Sequence, residues 1–223
     1  CRESEPVESA GSSRVLRLPK RGSVAIVMIR EPAPSGDREW QILDDAAQGA
    51  ISIPSGKEVT LAMSYDTSLS YFDEFRRLIW GDDISFLGHF REDDLVGLSL
   101  EPAMICSNDL AYIARLTGLQ NLNLDRTPVK DCGLRHLRNL TSLKVLFLAR
   151  TGITDAGLAY LAGLGSLQRL DLADNDINGS GLAHLANLAS LQELRLDNTR
   201  IDDKNLAHLV DLDSLQSLGL RYT

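Results

Sequence analysis

The sequence predicts an α/β solenoid, with short parallel strands along one face and short helices along the other. A small β-rich and helical piece is expected to cap its N-terminal end. Three observations carry this reading. Leu95, Leu119, Leu143, Leu167, Leu191 and Leu215 recur at a constant interval of 24 residues. Within each interval the apolar spacing changes from two to three or four, so each unit holds one strand and one helix. Aromatic residues make up only 5% of the chain, so leucine supplies the core, and a core of one repeated side chain points to stacked copies of one unit.

The strand half is the pair of leucines three and five positions after each first leucine: Leu98/Leu100, Leu122/Leu124, Leu146/Leu148, Leu170/Leu172, Leu194/Leu196 and Leu218/Leu220. Alternation with period two sends these leucines to one face and their neighbours to the other. An aliphatic column follows at Ile105, Val129, Ile153, Ile177 and Ile201. The helical half is the triplet Leu134/Leu137/Leu140 and its equivalents in the other units, a single buried stripe. Asp131, Asp155 and Asp203 stand before the helix, where a carboxylate can accept the orphan N–H groups of its first turn. Gly133, Gly157 and Gly181 come two residues later and suggest a tightly packed turn. One unit cannot enclose its own leucines; stacking buries them against the next rung and pairs the strands in parallel. A helix is wider than a strand, so the stack is expected to curve with the strands inside the bend.

The units LTSLKVLFLARTGITDAGLAYLAGL and LASLQELRLDNTRIDDKNLAHLVDL resemble leucine-rich repeats of the T-x-I-x-D-x-G-L type. That type is common in bacterial, particularly planctomycete-like, proteins and is related to the repeats of F-box receptors and ribonuclease inhibitor. The resemblance covers residues 95–223, five full units and a partial sixth. It implies a right-handed horseshoe with a concave strand face and a convex helical side, and it implies recognition of another protein. It also implies that Thr127, Thr151, Asn175 and Thr199 point inward and bond to the backbone of the neighbouring rung.

Ahead of the repeats, residues 1–13 are polar and read as a flexible tether. Cys1 with such a tether resembles the mature start of a bacterial lipoprotein, which implies lipidation at Cys1 and an envelope location; an excision falling at a cysteine gives the same sequence. Residues 14–66 read as β-rich. Val24–Ile29 is one strand, and Ile51–Ile53 and Val59–Met63 alternate on either side of Pro54–Lys57 as a hairpin would. Residues 31–37 read as a loop, and Asp44–Gln48 as a helical turn. Residues 67–94 read as a helical cap and degenerate first rung, with Leu69, Phe72, Phe75, Leu78 and Ile79 on one face and Ile84, Leu87 and Phe90 mimicking the helical triplet. At the far end residues 215–223 hold only the strand half of a unit, so a continuation is expected to cover it.

Composition narrows the function. The 23 basic against 31 acidic residues give a formal charge of −8 without a basic cluster, which argues against a nucleic-acid partner. The chain has no apolar run long enough to span a membrane. Cys1, Cys106 and Cys132 make neither a disulfide framework nor a metal pair. His136, His184 and His208 share a repeat position with Tyr112 and Tyr160, but no third ligand accompanies them, so no metal and no cofactor is expected. GxSxG, HExxH, GxxxxGK(S/T) and GxGxxG are all absent, and no enzymatic activity is expected.

The candidate site is the concave face, whose columns are the residues flanking the strand leucines. It comprises Asn123, Asp125, Val145, Phe147, Arg169, Asp171, Glu193, Arg195 and Asp197, with Phe147 as an aromatic anchor inside a charged rim. Arg126, Arg150, Asp174 and Asn198 extend it at the strand ends. The leading expectation is a non-enzymatic module that binds a protein ligand. Two alternatives share the repeat: an F-box-like ubiquitin-ligase adaptor, which residues 14–66 do not resemble, and the targeting arm of an enzyme whose catalytic domain lies elsewhere.

Overall fold

The computed structural model describes residues 14–17, 25–30, 41–47, 50–53, 58–63 and 84–223; before residue 84 the only side chains described are Val59 and Leu61. Cys1 and the tether, the loop at 31–37 and the helix expected over 67–83 lie outside the described residues.

Every repeat supplies one three-residue strand at the predicted place: β6 (Gly97–Ser99), β7 (Asn121–Asn123), β8 (Val145–Phe147), β9 (Arg169–Asp171), β10 (Glu193–Arg195) and β11 (Ser217–Gly219). All pair in parallel without a register shift, so Leu98, Leu122, Leu146, Leu170, Leu194 and Leu218 lie side by side across the rungs. On the opposite side of the core the helical halves are single turns of α or 3-10 helix, such as Lys130–Leu134, Asp155–Leu158, Leu182–Leu185 and Asp203–Leu206. Between the two layers, the leucines from Leu95 to Leu196 are nearly all fully buried in one continuous core. Burying a leucine contributes about 1.5–3 kcal/mol, so each rung's stability comes from contact with its neighbours. β11 is the last strand, and there the leucines emerge: Leu218 is 39% exposed.

The N-terminal strands are β1 (Arg14–Arg17), β2 (Ala25–Arg30), β3 (Gln41–Ala47), β4 (Ala50–Ile53) and β5 (Glu58–Met63). β5 runs parallel to β6 and antiparallel to β2, and β3 completes a nine-stranded sheet. The expected hairpin between residues 51–53 and 59–63 does not form. β4 pairs with β1 in a separate two-stranded sheet, and both edges of β5 are taken by β2 and β6. Alternation marks a segment as extended without naming its partner. The helical turn expected at Asp44–Gln48 is instead the end of β3, through Ala47. Ile84, Leu87 and Phe90 are buried as the repeat pattern requires, around a 3-10 turn at Ser85–His89.

Two sets of polar residues bond differently from expectation. Thr127, Thr151 and Thr199 donate to the carbonyl three residues back in their own rung, at Leu124, Leu148 (2.7 Å) and Leu196 (2.6 Å). Only the longer Asn175 reaches the backbone of the neighbouring, preceding rung: its Nδ2 donates to the Leu148 carbonyl (2.7 Å), and its Oδ1 accepts the N–H groups of Thr151, Gly152 and Ile153 at 3.0–3.1 Å. A threonine hydroxyl sits one bond too close to the chain for that span.

The aspartates before the helices also reach onward. Asp131 accepts from the N–H and hydroxyl of Thr154, and Asp155 accepts from the N–H groups of Asn178, Gly179 and Gly181, all in the following rung. Where a side chain caps its own helix it belongs to the preceding residue, Thr154 or Asp202. The glycines explain the onward reach, because they let the next turn come close. A Cβ on Gly181 would sit 2.4 Å from the Asp155 carbonyl oxygen, and one on Gly157 would sit 2.4 Å from Oδ1 of Asp131.

Candidate functional site

Register fixes the face. The outward residues of the strands form two ladder columns, Gly97–Asn121–Val145–Arg169–Glu193–Ser217 and Ser99–Asn123–Phe147–Asp171–Arg195–Gly219. A third column, Glu101, Asp125, Ala149, Ala173, Asp197 and Arg221, follows where the strands end. There the chain turns, and Arg126, Arg150, Asp174, Asn198 and Tyr222 all take positive φ, between 54° and 60°. That turn returns the backbone to the next rung: the N–H of Arg126 donates to the Ala149 carbonyl at 2.8 Å, and Asp174 repeats the bond to Asp197.

All nine site residues expected from the sequence lie on this one face. Phe147 is partly buried between its ladder neighbours, and the guanidinium of Arg169 stands 5.9 Å from its ring centroid, within cation–π range. Arg169 also pairs with Glu193 (2.6 Å), and Arg195 bridges Asp171 (2.8 Å) and Asp197 (3.3 Å). Asp171 is only 5% exposed; its Oδ2 accepts from Arg195 and its Oδ1 from the Ala173 N–H. On the other flank, Glu101 accepts from Asn123 (3.0 Å) and lies 3.7 Å from Arg126.

Several of these polar groups also serve the backbone. The third-column N–H groups lie beyond the strand ladder and must be satisfied by side chains. Asn123 accepts the Asp125 N–H, Asp125 the Ala149 N–H (2.7 Å), and Asp197 the Arg221 N–H (2.8 Å). Asp125 uses only Oδ1 for this. Burial, with Asp171 and Glu101 adding like charge, raises its pKa to about 6, against the lowering effect of the Ala149 bond and Arg126.

Glu101, Ala149 and Ala173 share a repeat column with Asp125 and Asp197 and flank the strand leucines on the same face. Ala149 and Ala173 place two small side chains together beside Phe147. A further open hollow of about 510 Å³ lies along β10 and β11, lined by residues including Glu193, Asp197, Leu218 and Arg221. On the helical side Tyr112, Tyr160, His184 and His208 are exposed, and Cys106 and Cys132 are exposed free thiols. No group of three metal-ligating side chains occurs among the described residues, and none of their helices is long and apolar enough to cross a membrane.

A strand, a turn and a short helix repeated every 24 residues, with leucines stacked in register and a variable outer face, define a leucine-rich-repeat solenoid, and this chain is a leucine-rich-repeat protein. The leucine rich repeat family model matches residues 117–177. Among solved structures the chain is similar to internalin C2 of Listeria monocytogenes, with 34% identity, 64% of this chain and 55% of that one covered, and a TM-score of 0.52. A second internalin of that organism, inlF, shares the fold at 20% identity and a TM-score of 0.50, with 61% and 44% covered. The chain thus spans about half the length of the solved proteins it matches. No curated protein matches it.

Proposed function

We propose that this protein is a non-enzymatic recognition module that binds a protein ligand on the outer, strand-side face, centred on Phe147. The observation that carries the reading is Phe147 itself. It is an aromatic side chain on the strand ladder, next to Val145 and Ala149, with Asn123 on one side and the ion pairs of Arg169, Glu193, Asp171, Arg195 and Asp197 on the other. An aromatic anchor surrounded by polar groups that exclude water is the anatomy of an interface hot spot. The rim arginines are already held by carboxylates, so little side-chain entropy remains to be lost on binding. The described strands within residues 14–63 favour this module over an F-box adaptor, whose N-terminal unit is helical.

In this reading residues 14–94 cap the first rung. β5 covers the edge of β6, and Val59, Leu61, Ile84, Leu87 and Phe90 shield the leucines that begin at Leu95.

The test is a pull-down from lysate of the source organism with wild type, Phe147→Asp and a helical-side control, Tyr160→Asp. Loss of the same partners in Phe147→Asp alone is the expected result. Identical partners in all three would show that recognition happens elsewhere.

A further inference from the structure

We propose that the strip of the outer face beside Phe147 takes a lysine or arginine side chain from an extended protein segment, its stem lying over Ala149 and its cation meeting Oδ2 of Asp125. The proposal rests on the recognition reading above and names the chemistry of the partner.

Charge accounting selects the place. Five carboxylates stand in the three outer columns: Glu101, Asp125, Asp171, Glu193 and Asp197. Four of them have a cation within 4 Å: Arg126 for Glu101, Arg195 for Asp171 and Asp197, and Arg169 for Glu193. Among the described residues, Asp125 is the outer-face carboxylate that belongs to no ion pair. Arg126, its neighbour in the chain, turns to Glu101 instead. Oδ1 of Asp125 is committed to the Ala149 N–H, which fixes the carboxylate and leaves Oδ2 to be matched from outside the chain.

Shape agrees with charge. Beyond Asp125 the third column continues through Ala149 and Ala173 to Asp197. Ala173 is buried and Ala149 partly exposed; with strands about 4.8 Å apart, the small Ala149 beside Asp125 leaves room for the methylene stem of a lysine or arginine to lie over it. Phe147, two residues from Ala149 on the same face, supplies the apolar wall. A segment that pairs a basic residue with an apolar one fits both features; an acidic segment would meet uncompensated repulsion.

The surroundings make the contact pH-dependent. The charged groups facing Asp125 are Glu101 from the β6 side, Arg126 at the end of its own rung and Asp171 from β9; β8 presents only the uncharged Val145, Phe147 and Ala149. With its pKa at about 6, the carboxyl is mostly ionised at pH 7 and mostly protonated at pH 5. A bound cation competes with that proton, so affinity falls about tenfold between these pH values.

The experiment uses two capped pentapeptides, Gly-Leu-Lys-Leu-Gly and its analogue with norleucine for lysine, titrated at millimolar concentration into the ¹⁵N-labelled full chain. The lysine peptide is expected to shift the amide signals of Phe147, Ala149 and Ala173, and the norleucine peptide to bind at least fivefold more weakly. Asp125→Asn, whose amide oxygen can still accept the Ala149 N–H, is expected to remove both the lysine preference and the fall in affinity at pH 5. Equal binding of the two peptides at these residues overturns the cation site and leaves outer-face recognition standing. A lysine preference that persists in Asp125→Asn also overturns the site. Shifts confined to the helical side count against both readings. If neither peptide binds, the cation site is overturned, and the pull-down with Phe147→Asp decides the broader reading.

Discussion

Asp155 and Asp125 occupy opposite sides of the solenoid, and each reaches from one rung to a backbone N–H of the next. On the helical side Asp155 spends both oxygens on three N–H groups, those of Asn178, Gly179 and Gly181. On the strand side Asp125 spends one oxygen on Ala149 and keeps the other, under a desolvation that raises its pKa. The same residue type at equivalent rung junctions therefore does two jobs. A carboxylate saturated by its own chain holds rungs together, and a half-used one on a rigid face is a group for something else to meet.

The saturated side should answer to stability measurements. Gly181→Ala is expected to have the largest effect. Its Cβ would lie 2.4 Å from the Asp155 carbonyl oxygen and 2.9 Å from its Cα, both backbone atoms that cannot swing aside. Forcing the rungs apart should cost about 3 kcal/mol, read as a lower urea midpoint. An unchanged midpoint would show that the close approach is not needed. Asp155→Ala comes next, at about 2 kcal/mol for three N–H groups that lose a charged acceptor and regain only water. It should leave binding at the outer face unaltered. If binding weakens as well, the two sides are not independent and the comparison fails.

A third prediction concerns the following junction, where the pattern is inverted. The position held by Asp155 in its rung is Gly179 in the next, and the position held by Gly181 becomes Asn205. Asn205 fills the vacated space and donates from Nδ2 to the Asn178 carbonyl at 3.0 Å; a Cβ on Gly179 would lie 2.6 Å from the Cβ of Asn205. The junction keeps one polar side chain but takes it from the later rung. Gly179→Asp should therefore be destabilising alone and partly rescued by Asn205→Gly, with a coupling of about 1 kcal/mol or more in a double-mutant cycle. Rescue stays partial because Gly179 has a φ of 97°, which an aspartate adopts poorly. Strict additivity would show that these two positions do not share one space.

These junctions also mark how far the sequence could be read. Burial follows the repeat column, so the leucines, the glycines at 133, 157 and 181, and the outer position of Phe147 between Asp125 and Arg169 were legible from period alone. Which group a polar side chain bonds was not. Asp131 and Asp155 stand where a carboxylate can cap its own helix, yet a rung one strand spacing away offers closer donors. The threonines and Asn175 share a column, and only the extra length of the asparagine crosses to the backbone of the preceding rung. Outside the repeats, alternation identified extended segments near residues 51–53 and 59–63 but not their partners, since pairing depends on which sheet edges the rest of the chain leaves open. The free oxygen of Asp125 was hidden for the same reason: it depends on Arg126 turning to Glu101.

Asp125→Asn gives the smallest effect and the sharpest contrast with Asp155, because its sign is opposite. The folded protein holds the Asp125 proton more tightly than the unfolded chain does, with a pKa of about 6 against 3.8. A carboxyl shifted upward in this way contributes fully below pH 4 and loses that contribution as pH rises towards 6. The asparagine variant should match wild type near pH 4 and be more stable at pH 7. The gain should be about 1 kcal/mol or less, because solvent screens a carboxylate that is only partly buried. Thermal melts of both proteins across this range measure it. A variant less stable than wild type at pH 7 would mean that Asp125 is a rung fastener like Asp155, and the outward-facing oxygen would lose its significance. A more stable variant that no longer prefers the lysine peptide would place a stability cost and a recognition role in the same carboxylate.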